Sequence, residues 1–328
     1  MVPGATLPTP LEYAPSVSSA ARCDVWIKRD DRTHPRFGGN KVRKLGPLLD
    51  AARADGVTHL LTLGAAGSHH ALATAVHGAA QGFVVEVALA PQLATPHVTA
   101  MLAATAAQAA RVIPCASIPT ALLALGARAA WLRARGARPR IIPVGGSNAV
   151  GSAGYADAFD ELWTQLRDEA LPTPDAIVVA LGSGGTLAGL AAGAALAGWR
   201  GDLVGARVTP PAAVPAFRLH ALARSVVASR GGAGAVPRFR AFEDALGGGY
   251  GVPTVAGQRA TALFARDGVE LDGTYTAKAA AGLLAVAAQA PRRMIFWHTL
   301  SSAPLGPLGG DAPVPERLRG LLRANADP

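Results

Sequence analysis

Ala176-Ile-Val-Val-Ala-Leu-Gly-Ser-Gly-Gly-Thr-Leu-Ala-Gly-Leu-Ala-Ala-Gly-Ala-Ala-Leu-Ala-Gly-Trp199 contains no charged residue. On length alone such a run is long enough for a membrane span. The interruption Gly182-Ser-Gly-Gly185 argues otherwise. It divides the run into a short β-branched strand, Ile177 to Leu181, and an alanine-rich helix after Thr186, the strand-loop-helix unit of a soluble α/β protein. The same alternation recurs along the chain. Strands are predicted at Val25 to Lys28, His59 to Leu63, Val84 to Leu89, Arg140 to Val144, Leu203 to Val208 and Met294 to His298. Helices are predicted at Val42 to Asp55, His69 to Gln81, Tyr155 to Glu169 and Thr186 to Gly198. This order predicts an α/β fold with mainly parallel sheets. Gly145-Gly146-Ser147 reads as a hinge, and Gly231 to Gly234 with Gly247 to Gly249 as surface loops.

The 328 residues allow about two domains, and a chain that is 50% hydrophobic and 16% charged is globular. No basic start or apolar run marks the N-terminus as a secretory signal, so a cytoplasmic protein with no membrane association is expected. Cys23 and Cys115 are too few for a disulfide framework or a cysteine-rich zinc site, and both are expected to be buried thiols. No metal site is expected. The net charge of +9 comes from scattered arginines with only 5% aromatic residues, and the Arg133 to Arg140 run is broken by alanine, glycine and proline. That pattern is a solvated basic surface, attractive to an acidic small molecule, rather than a nucleic-acid site.

Only four of the 31 basic residues are lysines, and two of them, Lys41 and Lys44, share Phe37-Gly-Gly-Asn-Lys-Val-Arg-Lys-Leu45. Arginine cannot act as an amine nucleophile, so lysine at a glycine-loop-to-helix junction is where amine chemistry is expected. Lys278, one turn into a helix, is the rival and is read as solvated. The loop Gly182, Ser183, Gly184, Gly185, Thr186 can aim amides and a helix dipole at an anion, although a structural glycine turn also fits. No Gly-Lys-Ser/Thr completes a P-loop, and Leu187 spoils a dinucleotide fingerprint. In Gly64-Ala-Ala-Gly-Ser-His-His70, Ser68, His69 and His70 meet either a carboxylate or merely a helix start that Ser68 caps. Adjacent histidines diverge on a helix, which disfavours a metal pair. Tyr275, in Leu271-Asp-Gly-Thr-Tyr-Thr-Ala-Lys278, is a proton donor, a stacking residue or an ordinary buried tyrosine.

Taken in order, Gly-Gly-Asn-Lys41-Val-Arg-Lys, Gly-Ser68-His-His, Gly145-Gly-Ser-Asn-Ala-Val-Gly151 with Tyr155, Gly182-Ser-Gly-Gly-Thr186 and Thr274-Tyr-Thr-Ala-Lys278 resemble one family. It is the 1-aminocyclopropane-1-carboxylate deaminase and D-cysteine desulfhydrase family of fold-type II, tryptophan synthase β-like pyridoxal-phosphate enzymes. The resemblance runs from about residue 26 to 298. It implies two open, twisted, mainly parallel sheets flanked by helices, with a small domain (45–146) inserted in a large cofactor domain (1–44 and 147–328), cofactor in the cleft and a homodimer. It implies pyridoxal 5'-phosphate as cofactor, held covalently by Lys41 with Asn40 and His69 beside it, phosphate on Gly182 to Thr186, and Thr276 at the pyridine nitrogen. For substrate it implies Ser68, His69, His70, Tyr275, Leu300 and Ser301, with Lys41, Ser68 and Tyr275 catalytic.

The deaminases of this family carry glutamate where Thr276 stands, and the desulfhydrase branch carries threonine. The resemblance therefore implies proton removal from the α-carbon by Lys41, its amine kept near neutrality by a dry pocket and a cationic Lys44, then β-elimination. D-cysteine is the best single guess for the small amino-acid substrate. Deamination of aminocyclopropane-carboxylate, β-replacement, a specialised biosynthetic reaction and a non-catalytic ligand-binding relative are the alternatives. Two departures bear on substrate. Ser68-His69-His70 replaces Ser-Asn-His, and His298-Thr-Leu-Ser-Ser302 replaces His-Thr-Gly-Gly.

Overall fold

The computed structural model describes residues 1–232, 235–289 and 293–324. Its strands are β1 (Leu11–Tyr13), β2 (Asp24–Lys28), β3 (His59–Ala65), β4 (Val84–Ala90), β5 (Gln92–Leu93), β6 (Arg111–Pro114), β7 (Pro139–Ile141), β8 (Ala176–Leu181), β9 (Asp202–Arg207), β10 (Arg240–Phe242), β11 (Arg293–Trp297) and β12 (Leu322–Arg323). Its helices are α1 (Pro15–Ala21), α2 (Asn40–Ala54), α3 (His69–Ala79), α4 (Pro96–Gln108), α5 (Ile118–Ala134), α6 (Ala149–Asp168), α7 (Gly185–Leu196), α8 (Ala216–Ser229), α9 (Val255–Ala265) and α10 (Thr276–Ala287). Two compact units divide the chain. One comprises Gly4–Lys44 and Ser147–Ser302, the other Met1–Pro3, Leu45–Gly146 and the chain from Ala303 onward.

The first unit carries a sheet in the order β1-β2-β11-β8-β9-β10. Only the edge pair β1/β2 is antiparallel. Its inner strands are apolar on both faces, as a sheet covered by helices on each side requires. Met294 and Phe296 of β11 join Val25, Ile27, Phe264 and Leu283 on one face. Ile295 and Trp297 join Phe159, Leu162, Leu187 and Leu190 on the other. The alanine-rich α7 is buried from Gly185 to Ala194, which explains why its sequence offers no polar face.

A buried charge network fixes the start of α2 in this unit. Asp30, just past β2, accepts hydrogen bonds from Arg43 Nε and Nη2, Thr9 Oγ1, Tyr155 OH and Trp297 Nε1. Arg43 also donates to both oxygens of Glu161 on α6, and Lys28 donates to Glu161 and Gln165. Gly154 of α6 lets the two helices approach: a Cβ there would lie 2.1 Å from the Arg43 carbonyl oxygen. Arg43 stands two residues past Lys41, so the first turn of α2 is held to β2, β11 and α6.

The second unit has the parallel sheet β6-β4-β3-β7, with Leu61, Leu63 and Ala88 packing on Ala121, Leu125 and Leu132 of α5. Ser117 opens α5 with a capping box, and Thr95 caps α4. The expected grouping of residues 147–328 in one large domain is corrected at its end. From Ala303 onward the chain groups with Leu45–Gly146, because β12 pairs with β5 and Gln108 of α4 donates to the Leu308 carbonyl. The predicted strand to Val144 stops at Ile141, and Gly145 and Gly146 both turn with φ of 66°. The glycine stretch predicted from Gly231 lies partly outside the described residues. Cys23 and Cys115 are partly exposed rather than buried. No described helix is long and apolar enough to cross a membrane.

Burial pushes the Asp30 carboxyl up, but the charge and hydrogen bonds of Arg43 with Lys28 and Trp297 outweigh it and hold it below the usual range. Its stabilising contribution is therefore present above the ordinary carboxylate range and lost as pH falls through the depressed value. Arg43→Met is expected to cost about 3–5 kcal/mol in urea unfolding, as breaking one half of a buried pair does. It is also expected to move acid unfolding to higher pH; unchanged urea and acid midpoints would show that the network is not structural.

Candidate active site

Lys41 lies in the first turn of α2. Gly39 enters that turn with φ of 82°, and a Cβ there would lie 2.8 Å from the Thr299 carbonyl oxygen and 2.9 Å from that of Leu300. Asn40 N donates to Thr299 O at 3.2 Å, and Gly38 N to Ser301 Oγ at 2.8 Å. The segment after β11 thus buttresses the lysine turn. Lys41 Nζ donates to Asn40 Oδ1 at 2.6 Å, and Asn40 Nδ2 donates to Thr186 Oγ1 at 3.0 Å. Burial pulls the Lys41 amine down to about 8, against the opposing charge of Asp272. Lys44 is also buried, and burial, followed by the proximity of Lys41, drives its amine well below the usual value. Desolvation, rather than the neighbouring charge expected of Lys44, is what lowers Lys41.

Thr186 ends a cradle at the carboxyl end of β8. Gly184 has φ of 87°, and a Cβ there would lie 2.1 Å from Leu219 Cδ2. Ser147 braces the loop, with its Oγ 2.8 Å from Ser183 Oγ and accepting from Gly185 N at 3.1 Å. The first amides of the 12-residue α7 open here, where a helix leaves N–H groups without intrahelical partners. Together with the Ser183 and Thr186 hydroxyls they make a donor set suited to a phosphate.

Asp272 organises the start of α10. Its carboxylate accepts from the amides of Thr274, Tyr275 and Thr276 and from Thr276 Oγ1 at 2.7 Å, while Thr276 Oγ1 accepts from Asp272 N at 2.8 Å. The hydroxyl proton of Thr276 is therefore committed to a carboxylate. Tyr275 OH lies 2.6 Å from Tyr250 OH, with the rings edge to face at 5.9 Å. Burial raises both phenols, so both stay protonated at neutral pH. Gly182 approaches this pair, since a Cβ there would lie 3.3 Å from Tyr275 Cε1. Tyr250 carries no local signal of its role, because it follows Gly247 to Gly249, a stretch whose composition predicts a surface loop. Lys278, expected to be solvated, is fully buried, donating at 2.7 Å to the Leu246 and Gly249 carbonyls and so anchoring the Tyr250 loop.

Asn40, Lys41, Gly182 to Thr186, Tyr275, Thr276, Leu300 and Ser301 all belong to the first compact unit, whereas Ser68, His69 and His70 belong to the second. Ser68 caps α3, accepting from Ala71 N at 3.2 Å. His70 is buried with Nε2 2.9 Å from Thr62 Oγ1 on β3, which commits that nitrogen to the unit's interior instead of a substrate. His69 is stacked on His97 of α4, ring centroids 5.2 Å apart. Among the described residues no three histidine, cysteine or carboxylate side chains cluster as metal ligands.

Residues 2–299 match the family model described as pyridoxal-phosphate dependent enzyme. The chain is 38% identical over 323 residues to nocardicin C-9' epimerase of Nocardia uniformis subsp. tsuyamanensis, covering 97% of each. It is 35% identical over 282 residues to D-cysteine desulfhydrase of Klebsiella pneumoniae subsp. pneumoniae, covering 84% of this chain and 85% of that one. Among solved structures it superposes on an ACC deaminase homologue with a TM-score of 0.80 at 29% identity, covering 98% and 96% of the two chains. With the Lys41 amine hydrogen-bonded through Asn40 to a phosphate-type cradle, the chain belongs to the pyridoxal-phosphate-dependent enzymes.

Proposed function

We propose that this enzyme removes the α-proton of a small amino acid and then expels a β-substituent, with D-cysteine as the leading substrate and pyruvate, ammonia and sulfide as products. The observation that carries the proposal is the hydrogen-bond chain Lys41–Asn40–Thr186, which sets one desolvated amine beside one anion cradle. The residues fit pyridoxal phosphate. Gly182 to Thr186 and Ser147 would hold its phosphate, and Lys41 its aldehyde carbon. Bound there, the cofactor supplies a carbonyl for the substrate amine and an electron sink for the α-carbon.

The rest is the work of side chains. Lys41, with its amine near 8, is poised both to attack a carbonyl and to accept the α-proton. The Tyr275–Tyr250 pair holds a proton that one phenol can release while the other stabilises the oxygen left behind. Asp272 keeps Tyr275 and Thr276 in place. In a desulfhydrase reaction the C–S bond breaks as the α-proton leaves, and one water completes the conversion to pyruvate and ammonia. We assign Ser68 and His69 to substrate carboxylate and side-chain recognition. Homodimeric assembly and a cytoplasmic location belong to the same proposal.

Epimerisation is the second reading, favoured by the 38% identity with an epimerase along 97% of both chains. It shares the α-proton step and differs in the fate of the carbanion, which takes a proton back instead of losing a leaving group. The chain departs from the desulfhydrase pattern at Ser68-His69-His70 and at His298-Thr-Leu-Ser-Ser302, which leaves room for a substrate other than D-cysteine.

Three outcomes are expected. Lys41→Ala should abolish turnover and the near-visible absorbance of covalently held cofactor, and normal turnover would end the assignment. In cofactor-stripped protein, covalent uptake of pyridoxal phosphate should speed up as pH rises through about 8, because only the neutral amine attacks. Asp272→Asn should shift that midpoint downward, since the lost carboxylate favours the ammonium; a rise on substitution would contradict the electrostatics. With D-cysteine in D2O, release of sulfide with pyruvate identifies elimination. Deuterium entering recovered amino acids with inversion, and no keto acid, identifies epimerisation.

A further inference from the structure

His298 follows β11, the strand between β2 and β8, at the carboxyl edge where parallel sheets place their ligands. Asp30 and Asp31 follow β2 on this edge, and the Gly182 to Thr186 cradle follows β8. The residues directly after His298 are those that hydrogen-bond to Gly38 and Asn40 and buttress the Lys41 turn. His298 itself is 1% exposed. Its amide donates to Lys28 O at 3.0 Å, and its ring stacks on Phe296 at 5.9 Å.

Nε2 lies 4.0 Å from Asp31 Oδ2, while buried Nδ1 has no hydrogen-bond partner among the described residues. A buried polar atom left unpaired keeps its full desolvation penalty, so such atoms are rare unless something else meets them. Burial lowers the imidazole pKa against the opposing charge of Asp31, leaving the ring neutral at neutral pH. A neutral ring carries one proton, and the carboxylate near Nε2 favours placing it there. Nδ1 is then an acceptor. Asp272 acts electrostatically on both His298 and Lys41, which places the imidazole in the same electrostatic neighbourhood as the amine.

We propose that Nδ1 of His298 accepts a hydrogen bond from an N–H or O–H donor on the ring of bound pyridoxal phosphate, making His298 a cofactor-positioning residue. The inference rests on the reading that Lys41 and the Gly182 to Thr186 cradle hold that cofactor. It adds a contact from the central strand, opposite in character to the donors of the cradle.

The test compares wild type, His298→Leu, His298→Asn and His298→Gln, stripped of cofactor and titrated with pyridoxal phosphate. Unfolding temperature is recorded with and without cofactor. An asparagine amide can put an acceptor where Nδ1 stands, whereas glutamine reaches the Nε2 position. Affinity is expected to fall about tenfold in the leucine and glutamine variants, the loss of one hydrogen bond, and to stay near wild type in the asparagine variant. Cofactor-free His298→Leu should unfold at or above the wild-type temperature, because no protein hydrogen bond to Nδ1 is lost. Equal affinity in all four proteins, or equal loss in the asparagine and glutamine variants, would overturn the proposal. Wild-type protein that takes up no cofactor would overturn the Lys41 reading along with it. Loss of uptake in Lys41→Ala, with wild-type affinity in every His298 variant, would overturn the His298 contact alone.

Discussion

The buried pair Asp30–Arg43 is the constraint from which the Lys41 region is built. A carboxylate with no exposed surface survives inside a protein only if its charge is met, and here one guanidinium, two ring donors and a hydroxyl meet it. Because Arg43 shares the first turn of α2 with Lys41, the electrostatic requirement of Asp30 is also a positional requirement on the lysine. Trp297 and Tyr155 extend it to β11 and α6. The rigid frame of the amine is therefore polar and buried, while among the described residues the amine itself is held by one neutral partner, Asn40.

That contrast makes chemical sense. A carboxylate placed directly on a lysine opposes loss of its proton, as Glu161 does on Lys28 Nζ, although burial still lowers that amine. Lys41 feels Asp272 only at a distance and is governed by desolvation, which brings its amine near the pH at which it can exchange protons. Asp272 in turn spends its oxygens on the α10 amides and Thr276, so it orients Tyr275 and Thr276 without neutralising the amine. Carboxylates hold both sides of the site in place, and among the described residues none hydrogen-bonds to the amine.

Much of this was legible in the sequence where the signal is local. The strand-loop-helix at Ile177 to Thr186 announces itself through composition and glycine spacing, and the scarcity of lysine marks Lys41. The central strands lie within a residue or two of where apolar, β-branched runs placed them. Signals that depend on distant partners were not legible. The helices α4 and α5 lack a distinctive apolar period because alanine suits both faces. Tyr250 and Lys278 became meaningful only when Lys278 was found buried beneath the loop that carries Tyr250. Likewise β12 belongs with β5 through pairing across most of the chain, which no local pattern announces. The downward shift of the Lys44 amine comes from burial, which residue type alone does not show.

The most direct test of Lys41 as the covalent anchor is borohydride reduction of the protein with pyridoxal phosphate, followed by digestion and mass spectrometry. The expected result is the phosphopyridoxyl mass on the peptide bearing Lys41, with Lys28, Lys44 and Lys278 unmodified. Modification at Lys44 or Lys278, or at no lysine, would contradict it.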